Sequence, residues 1–166
     1  MNHTQDERRN VLILCTGNSA RSQMSEGLIN HLLSDQWTAY SAGTQPSGYV
    51  HPQAIEVMQE LGIDISDQTS KSVDEFRHAK FDLVITVCDN AAKNCPTWLG
   101  SGRVEHIGFP DPAAVEGTPE EKRSAFRVIR DAIRKRVVIF VANWKPDGPN
   151  EAGAVSDLKF TLKGAE

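Results

Sequence analysis

The chain has 166 residues, 24% of them charged, and a net charge of −4, which fits one domain able to bury a full core without staples. It carries no basic block and no aromatic–basic interleaving, so nucleic acid is not an expected partner. Three cysteines do not make the disulfide framework of a secreted module, Met1 to Asn10 lacks the apolar core of a secretory signal, and Val137 to Ala142 is too short to span a bilayer. The expectation is a cytoplasmic monomer that avoids membranes.

In chain order, Asn10 to Cys15 reads as a buried strand and Gln23 to Leu33 as a helix, with Met24, Leu28 and Leu32 spaced to face a core. Trp37 to Ala42 reads as a second strand, followed by a Gly/Pro loop from Gly43 to Val50. Pro52 to Leu61 fits a helix with proline in its first turn and Gly62 at its stop. Val73 to His78 is a candidate short helix, Phe81 to Val87 a third strand and Val104 to Ile107 a short fourth. Thr118-Pro119-Glu120-Glu121 opens the last helix with a cap, a first-turn proline and acidic residues that favour the dipole. Phe126, Ile129, Ile133, Val137 and Phe140 then recur at helical spacing. Strands alternating with helices argue for an α/β fold with a parallel sheet covered on both faces. Residues 1–145 form the expected domain. Residues 146–166 read as a turn-rich, flexible tail, with a possible pairing segment near Leu158 to Leu162.

Three features carry chemistry. The first is Cys15-Thr16-Gly17-Asn18-Ser19-Ala20-Arg21-Ser22, where a strand ends at a cysteine and a short loop leads into a helix. Such a junction aims loop N–H groups and a helix N-terminus at the sulfur, a field that stabilises a thiolate and a tetrahedral anion together. Arg21 adds a planar fork of donors for two oxygens of one anion. The second feature is Cys88 to Pro96, directly after the third strand, which puts Cys88 on the same sheet rim as Cys15. The six-residue gap to Cys95 is too long for a zinc knuckle and for the two-residue redox motif, yet it can close into a disulfide if the segment is mobile. The third is Asp111-Pro112, a carboxyl on a proline-bounded loop that can reach the rim as a general acid. His51 and His106 flank turns and read as structural. No metal or cofactor is expected.

Together these features resemble the thioredoxin-coupled arsenate reductases, which share the fold of the low-molecular-weight protein tyrosine phosphatases. The resemblance takes in Cys15 to Met24, Ser41 to Thr44, His51 to Ile55, Gly62 to Ser66, Cys88 to Pro96 and His106 to Ala113. It implies a three-layer sandwich around a four-stranded parallel sheet, with arsenate as substrate, phosphate and sulfate as competing anions, and arsenite as product. Cys15 matches the nucleophile, Arg21 the oxyanion-binding arginine, Ser22 the hydroxyl that supports the thiolate and Asp111 the general acid. Thr16, Gly17, Asn18, Ser19 and Ala20 match the anion loop, and Cys88 and Cys95 the second and third redox cysteines. The implied reductant is a thioredoxin, with a glutaredoxin-type partner as the substitute.

Two departures from the similar phosphatases favour the reductase: Pro112 is followed by Ala113-Ala114 rather than an aromatic residue, and Arg21-Ser22 runs into Gln23 rather than proline. Some reductases of this family bind potassium at positions matching Asn18, Glu26 and Ser41, plus an acidic residue. That acidic position falls here on Lys71, whose ammonium would take the cation's place. The alternatives are a phosphatase acting on phosphate monoesters and a non-catalytic redox or oxyanion sensor.

Overall fold

The structure, a computed structural model, describes residues 8–89 and 97–148. Its sheet has four parallel strands in the order β2–β1–β3–β4, formed by β1 (Arg9–Cys15), β2 (Trp37–Gly43), β3 (Leu83–Thr86) and β4 (Arg103–His106). β1 is central because it is apolar on both faces. Val11, Ile13 and Cys15 pack into the larger core cluster, and Leu12 and Leu14 into the smaller one. The larger core lies under α1 (Arg21–Leu32), α2 (Pro52–Gln59) and α3 (Pro119–Ile133). Among the described residues, the opposite face is covered more thinly, by the 3₁₀ turn Val73–Phe76 and Trp98. Ser72 accepts a hydrogen bond from Asp74 N–H and caps this turn, which spans four residues rather than a longer helix.

The sheet and its helices follow the sequence expectation, with differences at the ends. α1 begins at Arg21, two residues before the expected start at Gln23, because its first turn serves the anion loop rather than the core. Leu32 is 41% exposed, and Ile29 is buried with Met24 and Leu28 instead. Thr118 and Glu121 form the expected capping box. After Ile133 the last helix loosens into a π-helical stretch, Arg134–Val138, and then resumes as α4 (Ile139–Asn143). The wider turn shifts the inward face, so Val137 and Val141 are fully buried while Phe140 is only partly so. No described helix is long and apolar enough to cross a membrane. The segment Leu158 to Leu162 lies outside the described residues.

Register places the site. Cys15 pairs with Gly43 and Leu14 with Thr86, so β1, β2 and β3 end on one rim. The loops after these strands, and the stretch after β4, therefore meet there.

Candidate active site

Cys15 is the last residue of β1, a buried free thiol. The loop after it is held from outside by its carbonyls. Thr16 C=O accepts from Gln45 N–H, Gly17 C=O from Ser47 N–H, and Ser19 C=O from His51 N–H, each at 2.9 Å. Asn18 C=O accepts from the Gln23 side-chain amide at 3.0 Å. In a trans peptide the carbonyl and the next N–H point in opposite directions, so outward carbonyls at 16–19 turn the N–H groups of residues 17–20 inward. The Asn18 N–H, 3.2 Å from Cys15 Sγ, is one of them. Ala20 precedes α1 without a side-chain cap, which leaves the helix N-terminus open to the same centre.

Asn18 adopts φ 47°, a left-handed conformation that asparagine tolerates better than most residues. Its amide then lies beneath the loop. Nδ2 donates to Ser22 Oγ at 2.8 Å, and Oδ1 accepts from Lys71 N–H at 2.8 Å and from Gln23 Nε2 at 3.0 Å. Ser22 Oγ lies 2.9 Å from Cys15 Sγ. Ser22 Oγ accepts from Asn18 and keeps its own proton free to be donated to the sulfur whenever Cys15 is a thiolate. Gly43 closes this floor: a Cβ there would run into the Thr16 carbonyl oxygen.

Arg21 and Asp111 line a cavity of about 410 Å³ together with Cys15. Arg21 Nη1 donates to Phe109 C=O at 2.9 Å, which fixes the guanidinium against the loop that carries Asp111. The Arg136 guanidinium lies over the Phe109 ring, 5.7 Å from its centroid. Asp111 caps the 3₁₀ turn Pro112–Ala114, its Oδ1 accepting from Ala113 N–H at 2.9 Å. A proton on this carboxyl therefore belongs on the other oxygen.

Cys88 follows β3 on the same rim, buried, and is disulfide-bonded. Val87 N–H donates to Leu14 C=O at 2.9 Å, which keeps the start of this segment beside the end of β1. Cys95 lies outside the described residues. Nearby, Thr86 Oγ1 and His106 Nδ1 are 2.6 Å apart, and burial lowers the His106 pKa against the opposing pull of Asp89.

Behind the loop, Lys71 Nζ is 3.8 Å from Glu26 Oε1 and donates to Thr69 C=O at 2.6 Å. Ser41 Oγ donates to the same Glu26 oxygen at 3.4 Å. Burial raises the Glu26 pKa, and the Lys71 charge is the first of the effects that oppose it. With an ammonium already against Glu26, these residues do not fit a potassium ion. Among the described residues no cluster of three or more His, Cys, Asp or Glu side chains is placed to hold a metal.

The structure thus brings Cys15, the loop to Arg21, Ser22 and Asp111 together, with Asn18, Glu26, Ser41 and Lys71 packed behind them. It also adds residues that the motif reading passed over. Ser47, Tyr49 and His51 line the cavity from the loop after β2. Their signal was positional, since a loop at the carboxyl end of a parallel strand belongs to the rim. Tyr49 places an exposed aromatic ring on the cavity wall. His51, read as structural, caps α2 and also faces the site. Gln23 is fully buried and ties Asn18 to Thr69 C=O, with Gln68 Nε2 donating to it at 2.8 Å.

Residues 10–149 match the family described as low molecular weight phosphotyrosine protein phosphatase. An arsenate reductase of Halalkalibacterium halodurans is 48% identical over 135 residues, which is 81% of this chain and 96% of the relative. A solved arsenate reductase in the phosphate binding state is 32% identical with a TM-score of 0.66, covering 82% of this chain and 99% of that one. An arsenate reductase solved in an oxidized state is 33% identical with a TM-score of 0.67, covering 81% and 97%. The chain belongs to the low molecular weight phosphotyrosine protein phosphatase family, and within it to the group that includes the arsenate reductases.

Proposed function

We propose that this protein reduces arsenate to arsenite, using Cys15 as nucleophile and passing the oxidation to Cys88 and then Cys95. The observation that carries this reading is the contrast between two buried cysteines on one rim: Cys15 is a free thiol inside an anion cavity, while Cys88 is disulfide-bonded. A phosphatase has no use for a second, oxidised cysteine beside its nucleophile. The identity to arsenate reductases across four-fifths of the chain supports the same choice.

In this mechanism arsenate enters the loop as a near-copy of phosphate, held by the inward N–H groups and Arg21. The Cys15 thiolate attacks arsenic and displaces a hydroxide, which Asp111 protonates to water. The Cys88 thiolate then attacks the Cys15 sulfur. The sulfur–arsenic bond breaks, its electron pair stays on arsenic, and arsenite leaves a Cys15–Cys88 disulfide. Attack by Cys95 on Cys88 frees Cys15 and leaves a Cys88–Cys95 disulfide for an external dithiol of the thioredoxin or glutaredoxin type. Ser22 donates to the thiolate throughout. Lys71 neutralises Glu26 beneath the loop, so turnover needs no potassium.

The experiment is arsenite formation with thioredoxin, glutaredoxin and small thiols supplied separately. Catalytic turnover with a dithiol protein supports the reading, and no arsenite with any reductant overturns it. A second reading, hydrolysis of aryl phosphates, gains support from Tyr49, whose exposed ring sits at the cavity edge. Release of phosphate in the absence of reductant, at a rate above that of arsenate reduction, would favour it.

A further inference from the structure

We propose that His51 is an anion-binding residue of this cavity, and that its protonation tightens the hold on a tetrahedral dianion. The inference rests on the reading of the cavity as an anion site.

One backbone contact and three side-chain contacts fix His51. His51 N–H donates to Ser19 C=O at 2.9 Å, so the residue is tied by its backbone to the anion loop. The ring packs on Phe126 of α3 with centroids 4.6 Å apart, and on Tyr49 at 6.5 Å. Its Nδ1 accepts from Gln53 N–H at 3.1 Å and caps α2. An acceptor at Nδ1 places the proton of the neutral ring on Nε2, which makes the side chain an N–H donor within a cavity shared with Cys15, Arg21 and Asp111.

The neutral ring is favoured while the cavity is empty. Protonation would set an Nδ1 proton against the Gln53 N–H and lose the α2 cap. Burial adds to this and lowers the His51 pKa. Arg21, in the same cavity, repels a second cation, and Phe126 offers no charge. Among the described residues that line the cavity, Asp111, and the Cys15 thiolate when formed, favour the imidazolium. A bound dianion brings two more negative charges to the side of the cavity that His51 lines. Occupancy therefore pushes His51 toward the cation, and by linkage the cation holds the anion more tightly. The cost is the cap on α2, so anion binding and the start of that helix are coupled.

Sulfate is the probe, because it stays a dianion throughout the range tested. The His51 ring is titrated by NMR in the unmodified protein with and without saturating sulfate. Sulfate affinity is also measured from pH 7.5 to 5.5 in wild type and in His51→Asn, whose side-chain oxygen keeps the α2 cap. The expected result is a His51 pKa raised by about one unit when sulfate is bound, and a wild-type affinity that gains about tenfold over the variant on the acid side. An unchanged His51 titration, or parallel affinity profiles in the two proteins, overturns the inference. Failure of both proteins to bind sulfate at any pH overturns the anion-site reading itself.

Discussion

Replacing Ser22 by alanine removes one oxygen and should weaken both the chemistry and the fold, by separable amounts. Ser22 Oγ lies 2.9 Å from Cys15 Sγ and accepts from Asn18 Nδ2 at 2.8 Å, and all three residues are buried. A hydrogen bond to an ionised partner contributes roughly 1.5–3 kcal/mol, so losing it should slow attack by the thiolate roughly ten- to a hundred-fold. The Asn18 Nδ2 donor would then lose its Ser22 partner out of reach of bulk water, at a cost to stability of about 1–3 kcal/mol. In a protein of this size that corresponds to a fall in Tm of roughly 2–4 °C per kcal/mol. Two assays read the two effects: the rate of Cys15 alkylation by iodoacetamide, followed on its peptide by mass spectrometry, and the melting temperature. The arsenate KM should change little, because the loop N–H groups and Arg21 remain. Alkylation of Ser22→Ala at the wild-type rate would refute the hydroxyl's part in holding the thiolate.

Further variants probe the other parts. Cys15→Ser should abolish arsenate reduction while still binding sulfate, because a serine hydroxyl is not ionised near neutral pH and the anion loop is intact; binding isotherms and arsenite assays check both. Cys95→Ser should release about one arsenite per chain and then stop with Cys15 bonded to Cys88, whereas Cys88→Ser should release little at any time; mapping of trapped peptides decides between them. Lys71→Asp should make turnover and thermal stability depend on potassium, because it sets a second carboxylate against the buried Glu26; wild type should not respond when potassium is exchanged for a bulky organic cation at constant ionic strength. Glu60, bonded to Arg127 and Arg130, has its pKa lowered from 4.5 to about 2. Its contribution to stability is complete above about pH 4.5 and is lost as pH falls through about 2, so Glu60→Gln should flatten acid unfolding in that window.

The parts of this architecture that were legible in the sequence are those where chemistry and pattern coincide. The Val11 to Leu14 run is apolar on both faces because β1 is central, and the abrupt change at Cys15 marks the rim. Thr118, Pro119 and Glu121 announced α3 through local hydrogen bonding alone. What escaped depends on tertiary placement. His51 has an adequate local role as a helix cap, and only the meeting of the β2 loop with the Asp111 loop brings it into the cavity. Gln23 looks like an ordinary helix residue until Asn18, Gln68 and Thr69 converge on it. The π-helical turn at Arg134–Val138 keeps an apolar spacing close to that of an α-helix, so periodicity gives no warning of it. The contact between Lys71 and Glu26 joins residues far apart in sequence, and the resemblance to related reductases drew attention to it before geometry did.

The central claim is that this chain transfers two electrons to arsenic from its own cysteines. The most direct test is a single turnover with fully reduced protein, excess arsenate and no external reductant, with arsenite quantified and disulfides mapped afterwards. The expected result is about one arsenite per chain, a free Cys15 and a Cys88–Cys95 disulfide. Absence of arsenite, with all three thiols still reduced, would contradict it.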